Sequence, residues 1–167
     1  MIVIHQPSFD EILAVVRNLR AVDQKELSVT RDLSNPTKLV AAAWAAKYRR
    51  AAYIDAVPAF VFGMTLFDND PTQGQVWGFG TPDAPRVMRA VTKFCLRTMI
   101  PEMLDLGLLA AQAIGHPDNE LSKRWLQRLG YSPMAITLPG IGAGKHDMIL
   151  WITTANDHRH NYRARAA

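Results

Sequence analysis

The residues of this chain that could do acid–base chemistry come directly after an apolar segment, residues 108–114. His116 is the candidate general base, since an imidazole with an ordinary pKa near ~6.5 takes up a proton close to neutral pH. Asn119 could contact a ligand through its amide. Each residue also has a structural interpretation, in which His116 is a turn residue before Pro117 and Asn119 caps the next helix. The residues alone leave both alternatives open.

A second candidate site lies where an apolar strand, residues 75–80, runs into a helix. The first N–H groups of a helix are unpaired and can bind an anion. Here Pro82 and Pro85 lack an N–H, and Asp83 places a carboxylate where an anion would sit. Arg86 could offset this by pairing with a phosphate. The segment is therefore either a phosphate site or a well-capped helix.

Composition limits the class of protein. The 167 residues are 49% hydrophobic and 20% charged, which is typical of one globular domain with a real core. The net charge is +4, and three arginines less one aspartate in residues 155–167 supply +2 of it. The body is thus nearly balanced, and nucleic acid is not an expected partner. Cys95 is the only cysteine, so no internal disulfide can form, and no residue spacing predicts a metal site.

Hydrophobic periodicity predicts the element order β-α-α-α-β-β-β-α-β-α-β-β. We expect one domain over residues 1–153 and a basic tail over residues 154–167. A capping box from Ser8 to Glu11 opens the first helix, and Pro36 opens the third, which we expect to reach Tyr48. The predicted strands are residues 1–5, 51–56, 58–67, 75–80, 108–114, 134–138 and 147–153. The other predicted helices are residues 23–29, 82–103 and 120–129, and residues 139–145 form a glycine-rich loop.

This order resembles the GNAT superfamily of N-acyltransferases. As in that family's later motif, Asn119 lies eleven residues before Gly130, and Tyr131 is the aromatic residue after this glycine. The resemblance covers residues 1–153. It implies an α/β (α+β) fold with a mixed, mostly antiparallel sheet of about six to seven strands, helices on both faces and a splayed strand pair. The segments VWGFGTPD and NELSKRWLQRLGY look more narrowly like the divergent GNAT-like proteins of short-tailed bacteriophages.

The resemblance implies acetyl-CoA as the acyl donor, with the pantetheine arm in the splay and the pyrophosphate at the start of the following helix. His116 is then the candidate catalytic residue, and the implied cofactor contacts are Phe79, Gly80, Thr81, Arg86 and Asn119. The sequence departs from the family twice. Leu126 stands where the family has a tyrosine general acid, and the strand QVWGFG has no carboxylate that could act as the base.

Two functions therefore remain open. The first is an N-acyltransferase that acts on an amine. The second is a GNAT-fold protein that has lost catalysis and serves as a structural or virion-associated interaction protein. It would bind a phage or host protein through the basic tail, residues 154–167. The expected location is the host cytoplasm or the virion, and no membrane is expected as a partner, since no apolar run could span a bilayer.

Overall fold

A computed structural model describes residues 1–141 and 145–158, the side chains of Ala135, Ile136 and His146 excepted. The elements follow one another in the predicted order. The strands are β1 (Ile2–His5), β2 (Tyr48–Ile54), β3 (Val57–Phe67), β4 (Asp70–Gly80), β5 (Ala110–Gly115), β6 (Ser132–Ile141) and β7 (His146–Thr154). The helices are α1 (Phe9–Arg17), α2 (Ala21–Thr30), α3 (Pro36–Ala45), α4 (Ala84–Phe94), α5 (Ile100–Asp105) and α6 (Glu120–Arg128), and a π-helical segment, Cys95–Met99, joins α4 to α5.

The seven strands form one sheet in the order β1-β2-β3-β4-β5-β7-β6. Neighbouring strands are antiparallel except β4 and β5, which are parallel. The turn between β2 and β3 consists of Asp55 and Ala56, with φ angles of 48° and 68°. Two positive φ angles are the geometry of a tight two-residue hairpin. The predicted mixed and mostly antiparallel sheet is confirmed.

Two hydrophobic cores lie on opposite faces of the sheet. Successive side chains of a strand alternate between the faces, and β3 supplies both cores. Phe60 and Phe62 pack with α4, the π-helical segment, α5 and α6. Val61 packs with α1 and α3. The helices therefore cover both faces of the sheet. A site that is open to both faces must pass through the sheet.

Local signals set several element boundaries as predicted. Ser8 and Glu11 form both hydrogen bonds of the capping box that starts α1, and Pro36 stands in the first turn of α3. The predicted extension of α3 to Tyr48 is wrong. Tyr48 begins β2 and pairs with Met64 in the ladder, because its ring joins the core on the α4 side. β4 and β6 are longer than predicted, since both continue into turn-like sequence.

The end of the described chain packs against the body. The ring of His158 lies over Gly130, and its Nε2 is 3.0 Å from the Thr153 hydroxyl. Ala155 is buried as well. The boundary predicted between body and tail at 153/154 stays a prediction, and residues 142–144 and 159–167 lie outside the described residues.

Candidate active site between two diverging strands

The parallel strands β4 and β5 separate before they end. They pair only where Gln73, Gly74 and Gln75 lie opposite residues 110–112. Beyond that point β4 continues along β3 and β5 continues along β7. The carboxyl ends of the two central strands therefore diverge and leave a gap through the middle of the sheet.

The edge of β4 directs backbone groups into this gap. The Gly80 N–H donates to a carboxylate oxygen of Asp23 at 2.7 Å, and the Gly80 carbonyl accepts from the Arg20 N–H at 2.9 Å. In an antiparallel pair, alternate residues direct both backbone groups away from the partner strand. Gly78 has the same parity as Gly80, so its N–H and C=O also point away from β3 and into the gap.

Helix α2 crosses the gap and is bonded to both of its sides. Asp23 holds the end of β4 through Gly80. Glu26, one helical turn later, accepts the backbone N–H of His116 just beyond β5 at 3.0 Å. Residues three apart lie on one helix face, so the two carboxylates reach the two diverging strands from the same side.

The position of Glu26 in the gap alters the pKa of its carboxyl group. One carboxylate oxygen accepts from His116 and the other from the side-chain amide of Asn119. Burial raises the pKa of the Glu26 carboxyl, and the nearby Asp23 adds to the rise, while these two hydrogen bonds lower it. A carboxyl with a raised pKa is a better proton acceptor near neutral pH.

Sequence reasoning missed Glu26. Acidic residues three apart, such as Asp23 and Glu26, are common on the exposed faces of helices. Glu26 becomes a candidate only through its contact with His116, 90 residues away. Glu26 could have been found by asking which acidic residues of α2 lie next to the predicted pair of diverging strands.

A cavity of about 1680 Å³ occupies the gap and extends to both faces of the sheet. Its lining includes Glu26 from α2, Gly78 and Phe79 from β4, and Asn119 and Trp125 from α6 and its cap. The Trp125 indole N–H donates to the Thr92 hydroxyl at 3.1 Å and so joins α6 to α4 across the cavity. The space is large enough for an extended organic ligand.

Asn119 caps α6, which is one of the two roles considered from the sequence, and its contact with a ligand stays a prediction. Its side-chain oxygen accepts from the Ser122 N–H at 3.1 Å and caps α6. Its side-chain amide donates to Glu26. Asn119 therefore fixes the position of the Glu26 carboxylate in addition to starting the helix.

His116 lies beside the gap, with its ring in the turn after β5. Its Nδ1 accepts from the Asp118 N–H at 3.1 Å, which places the proton of the neutral ring on Nε2. The described residues that line the cavity do not include His116. The structure thus supports a contribution of the His116 backbone, and its role as the base stays a prediction.

The start of α4 has its amides occupied. The Asp83 N–H donates to the Thr81 hydroxyl at 3.3 Å, and the Ala84 N–H donates to the Thr81 carbonyl at 2.9 Å. Pro85 has no N–H, and the Arg86 N–H donates to the Asp83 carbonyl at 3.0 Å. The Asp83 carboxylate makes no capping bond and pairs instead with the Arg86 guanidinium at 3.0 Å. These groups are therefore satisfied within the protein.

The other predicted cofactor contacts fall into two groups. Phe79 is buried in the core and lines the cavity. Thr81 and Arg86 line a separate hollow of about 490 Å³ beside α1 and the β2–β3 turn. Gly80 lies at the edge of the gap with its N–H taken by Asp23. The structure brings Phe79, Gly80 and Asn119 to the gap and places the other two away from it.

Leu126 and Tyr131 belong to the core on the α4 side. Leu126 is buried and belongs to the same core as α4 and the sheet. Tyr131 is buried beside it and lines the cavity, and burial raises the pKa of its hydroxyl above the ordinary value. Its hydroxyl therefore stays protonated throughout the neutral range.

Among the described residues, no group of three His, Cys, Asp or Glu side chains is arranged to hold a metal ion. None of the helices described is long and apolar enough to cross a membrane.

Comparison with known proteins identifies the fold. No protein-family model matches the sequence, and no curated relative matches it. Among solved structures, a GNAT-family acetyltransferase from Bacillus anthracis is similar with a TM-score of 0.67 at 13% identity, over 92% of this chain and 94% of that chain. The chain has a GNAT-like fold. At such low identity the likeness establishes the fold alone.

Two further solved structures have the same GNAT-like fold. Ard1 from Thermoplasma volcanium has a TM-score of 0.68 at 14% identity, over 92% of this chain and 97% of that chain. The aminoglycoside acetyltransferase AAC(6')-Ib, solved in complex with coenzyme A, has a TM-score of 0.66 at 10% identity, over 96% of this chain and 98% of that chain. The neighbours thus span nearly the whole chain, and the splayed strand pair expected from the resemblance is present as the gap between β4 and β5.

Proposed function

We propose that this protein transfers an acyl group from an acyl-CoA, with acetyl-CoA as the simplest donor, to the nitrogen of an amine. The observation that carries the proposal is the position of Glu26. A partly buried carboxylate with a raised pKa stands in a gap that passes through the sheet between two diverging strands. A base at this point reaches ligands that enter from either face.

The gap suits the thiol arm of such a donor. Pantetheine is an extended chain with two amides, and the N–H and C=O of Gly78 provide one donor and one acceptor for it at the edge of β4. Glycine at this position also leaves the face toward α4 free for the Phe60 ring. When bound, the acyl-CoA supplies an activated thioester carbonyl. The residues at the start of α4 do not offer the usual backbone donors for its pyrophosphate.

The chain's own contribution is to move protons and hold the reactants. Glu26 takes one proton from the protonated amine, which frees its lone pair to form the new C–N bond. As the C–S bond breaks, the second proton released from nitrogen ends on the departing sulfur. Asn119 and the His116 N–H hold the Glu26 carboxylate in place by hydrogen bonds to its two oxygens.

The acceptor is best placed on the α2 side of the sheet. Glu26 lines this part of the cavity and its carboxylate can attract a cationic amine, whereas the Asp23 carboxylate is paired with Arg20 at 2.7 Å. The rings of Trp77 and Phe79 are stacked there at 5.8 Å and provide an apolar wall. We therefore infer an acceptor with a primary amine next to an apolar group.

Titration calorimetry with acetyl-CoA is the first test, followed by thiol release in the presence of a set of primary amines. Binding together with amine-dependent thiol release supports the proposal. The absence of heat at about 0.5 mM acetyl-CoA, within the usual range of substrate concentrations, would remove it.

A second candidate is an interaction protein of this fold without catalysis, such as a virion-associated protein. The closed start of α4 and the leucine at position 126 favour it. It predicts that acetyl-CoA does not bind, and that deletion of residues 159–167 abolishes association with a phage or host protein while the body stays folded. Unchanged association after this deletion excludes the tail as the contact.

A further inference from the structure

The charged residues that line the cavity are balanced on one face of the sheet and all basic on the other. On the α2 side the carboxylates of Asp23 and Glu26 are matched by Arg20 and Arg31, and Arg20 pairs with Asp23 at 2.7 Å. On the side of α4 and α6, every charged residue among those that line the cavity is basic, namely Arg89, Lys93, Arg97, Arg124 and Arg128. Like charges gathered around a cleft create a potential that favours an anion.

Four of these residues belong to two helices that are in contact. The hydrogen bond from Trp125 to Thr92 joins α6 to α4. Arg89 and Lys93 of α4 line the same cavity as Thr92. Arg124 and Arg128 of α6 line it together with Trp125. Each helix therefore contributes a pair of basic side chains to the cavity.

The described part of the chain provides no carboxylate partner for these four cations. Within the described residues, none of the four forms an ion pair, whereas their neighbours Arg86 and Lys123 pair with Asp83 and Glu120. The Arg124 Nε donates only to the backbone carbonyl of Glu120. The undescribed residues, 142–144 and 159–167, contain no aspartate or glutamate. The basic side chains are thus available to a ligand.

We propose that Arg89, Lys93, Arg124 and Arg128 bind the phosphates of the acyl donor and replace the backbone amides that the start of α4 does not offer. This inference rests on the proposed function. A guanidinium binds phosphate through two parallel hydrogen bonds and keeps its charge at all physiological pH values. The donor's phosphates would then lie between α4 and α6, and its thiol arm would extend from there toward Gly78 and the gap.

The test compares three ligands, CoA, 3′-dephospho-CoA and pantetheine, by titration calorimetry on the full chain. The variant is Arg89→Ala/Arg128→Ala, and the matched control is Lys123→Ala, which removes a cation of α6 that is already paired with Glu120. We expect the wild type to bind CoA at least ~10-fold more tightly than pantetheine, because charged hydrogen bonds are the stronger class. The double variant should lose this advantage and leave pantetheine binding unchanged.

Salt provides a second readout. The CoA affinity of the wild type should fall as salt rises, and that of the double variant should fall less, since fewer ion contacts are screened. Arg89→Lys/Arg128→Lys should recover part of the lost affinity. Unchanged CoA affinity in the alanine variant, or pantetheine that binds the wild type as tightly as CoA, would overturn the proposal.

The two proposals fail in different ways. If acyl transfer occurs and the alanine variant binds CoA as tightly as the wild type, the proposed transferase function is supported and the basic residues are not the phosphate site. If 3′,5′-ADP binds the wild type but not the variant and no amine is acylated, the phosphate site is supported and the transferase function is wrong. If neither CoA nor 3′,5′-ADP binds the wild type, both are wrong.

Discussion

The Glu26 carboxylate in α2 accepts the backbone N–H of His116 at 3.0 Å, across 90 residues of sequence. Together with the bond from Gly80 to Asp23, this contact joins one helix to the ends of both diverging strands. The same carboxylate that stabilises the gap is thus the candidate base inside it. To separate the structural role of Glu26 from its proposed catalytic role, a substitution must therefore keep the shape of the side chain.

Glu26→Gln is that substitution. A glutamine can still accept the His116 N–H through its oxygen, but its NH₂ then faces the amide of Asn119, which loses its acceptor. We expect kcat to fall by ~10²- to 10⁴-fold, the usual contribution of a general base. Stability should fall by about 1–3 kcal/mol for the unsatisfied buried amide.

Steady-state kinetics and urea unfolding check both expectations. Glu120→Gln is the matched control, since this exposed acid of α6 pairs only with Lys123. It should leave kcat unchanged. If Glu26→Gln retains wild-type kcat, another group is the base, and His116 is the first to examine.

The pH dependence of the reaction should identify the same group. Burial raises the pKa of Glu26 above the ordinary glutamate value of 4.5. Because the base works in its ionised form, kcat/KM should rise with pH through an acidic limb that lies above this value. Glu26→Gln should remove the limb. An acidic limb that persists unchanged in this variant would assign it to another residue.

His158 gives a second pH effect, on stability. Burial lowers the pKa of its imidazole in the folded protein, while the unfolded chain titrates near ~6.5. Below that pH the unfolded state binds more protons than the folded state, so the free energy of unfolding decreases as pH falls. Above it, this contribution is fully present.

Melting temperatures at about pH 7.5 and about pH 5.5 measure the effect. His158→Gln should show a smaller drop between the two values than the wild type. The control His5→Gln changes an exposed histidine of β1 and should keep the wild-type drop. Any contribution of Glu26 is common to all three proteins and cancels in the comparison. Equal drops in the wild type and His158→Gln would contradict the assignment.

The sequence predicts the fold better than the site, for physical reasons. Strand and helix periodicity, the Ser8 capping box and the turn residues are local, and they are enough to give the element order and the splay through the resemblance. Glu26 depends on the packing of α2 across the sheet, which no local pattern encodes. Tyr48 shows the same limit on a smaller scale, because ladder pairing with Met64 overrides a helical alanine-rich segment.

The proposed phosphate site also has one part that the sequence predicted and one part that it did not. The two prolines already indicated that the start of α4 would offer few amides, and the structure agrees. No pattern in the sequence distinguishes the basic side chains of α4 and α6 from the charged residues that helices commonly expose. Their position beside one cavity follows from the tertiary packing of the two helices, which share a core and are joined by the bond from Trp125 to Thr92.

Gly78 offers a test of the gap itself. A Cβ at this position would lie 2.7 Å from Cζ of Phe60 and 3.4 Å from Cβ of Phe62. The Phe60 ring is buried and is held edge-on against Trp125 at 5.8 Å, so it cannot yield freely. Gly78→Ala should therefore destabilise the protein by about 1–3 kcal/mol, the typical cost of overpacking.

A double-mutant cycle separates this clash from a general backbone effect. Trp125→Phe makes room beside Phe60, so the cost of Gly78→Ala, measured by urea unfolding, should be smaller in that background by about 0.5 kcal/mol or more. Acetyl-CoA affinity should fall in Gly78→Ala, because the displaced Phe60 ring and the added methyl group crowd the edge of β4. If Gly78→Ala costs the same in both backgrounds and leaves acetyl-CoA affinity unchanged, the donor does not lie along this edge.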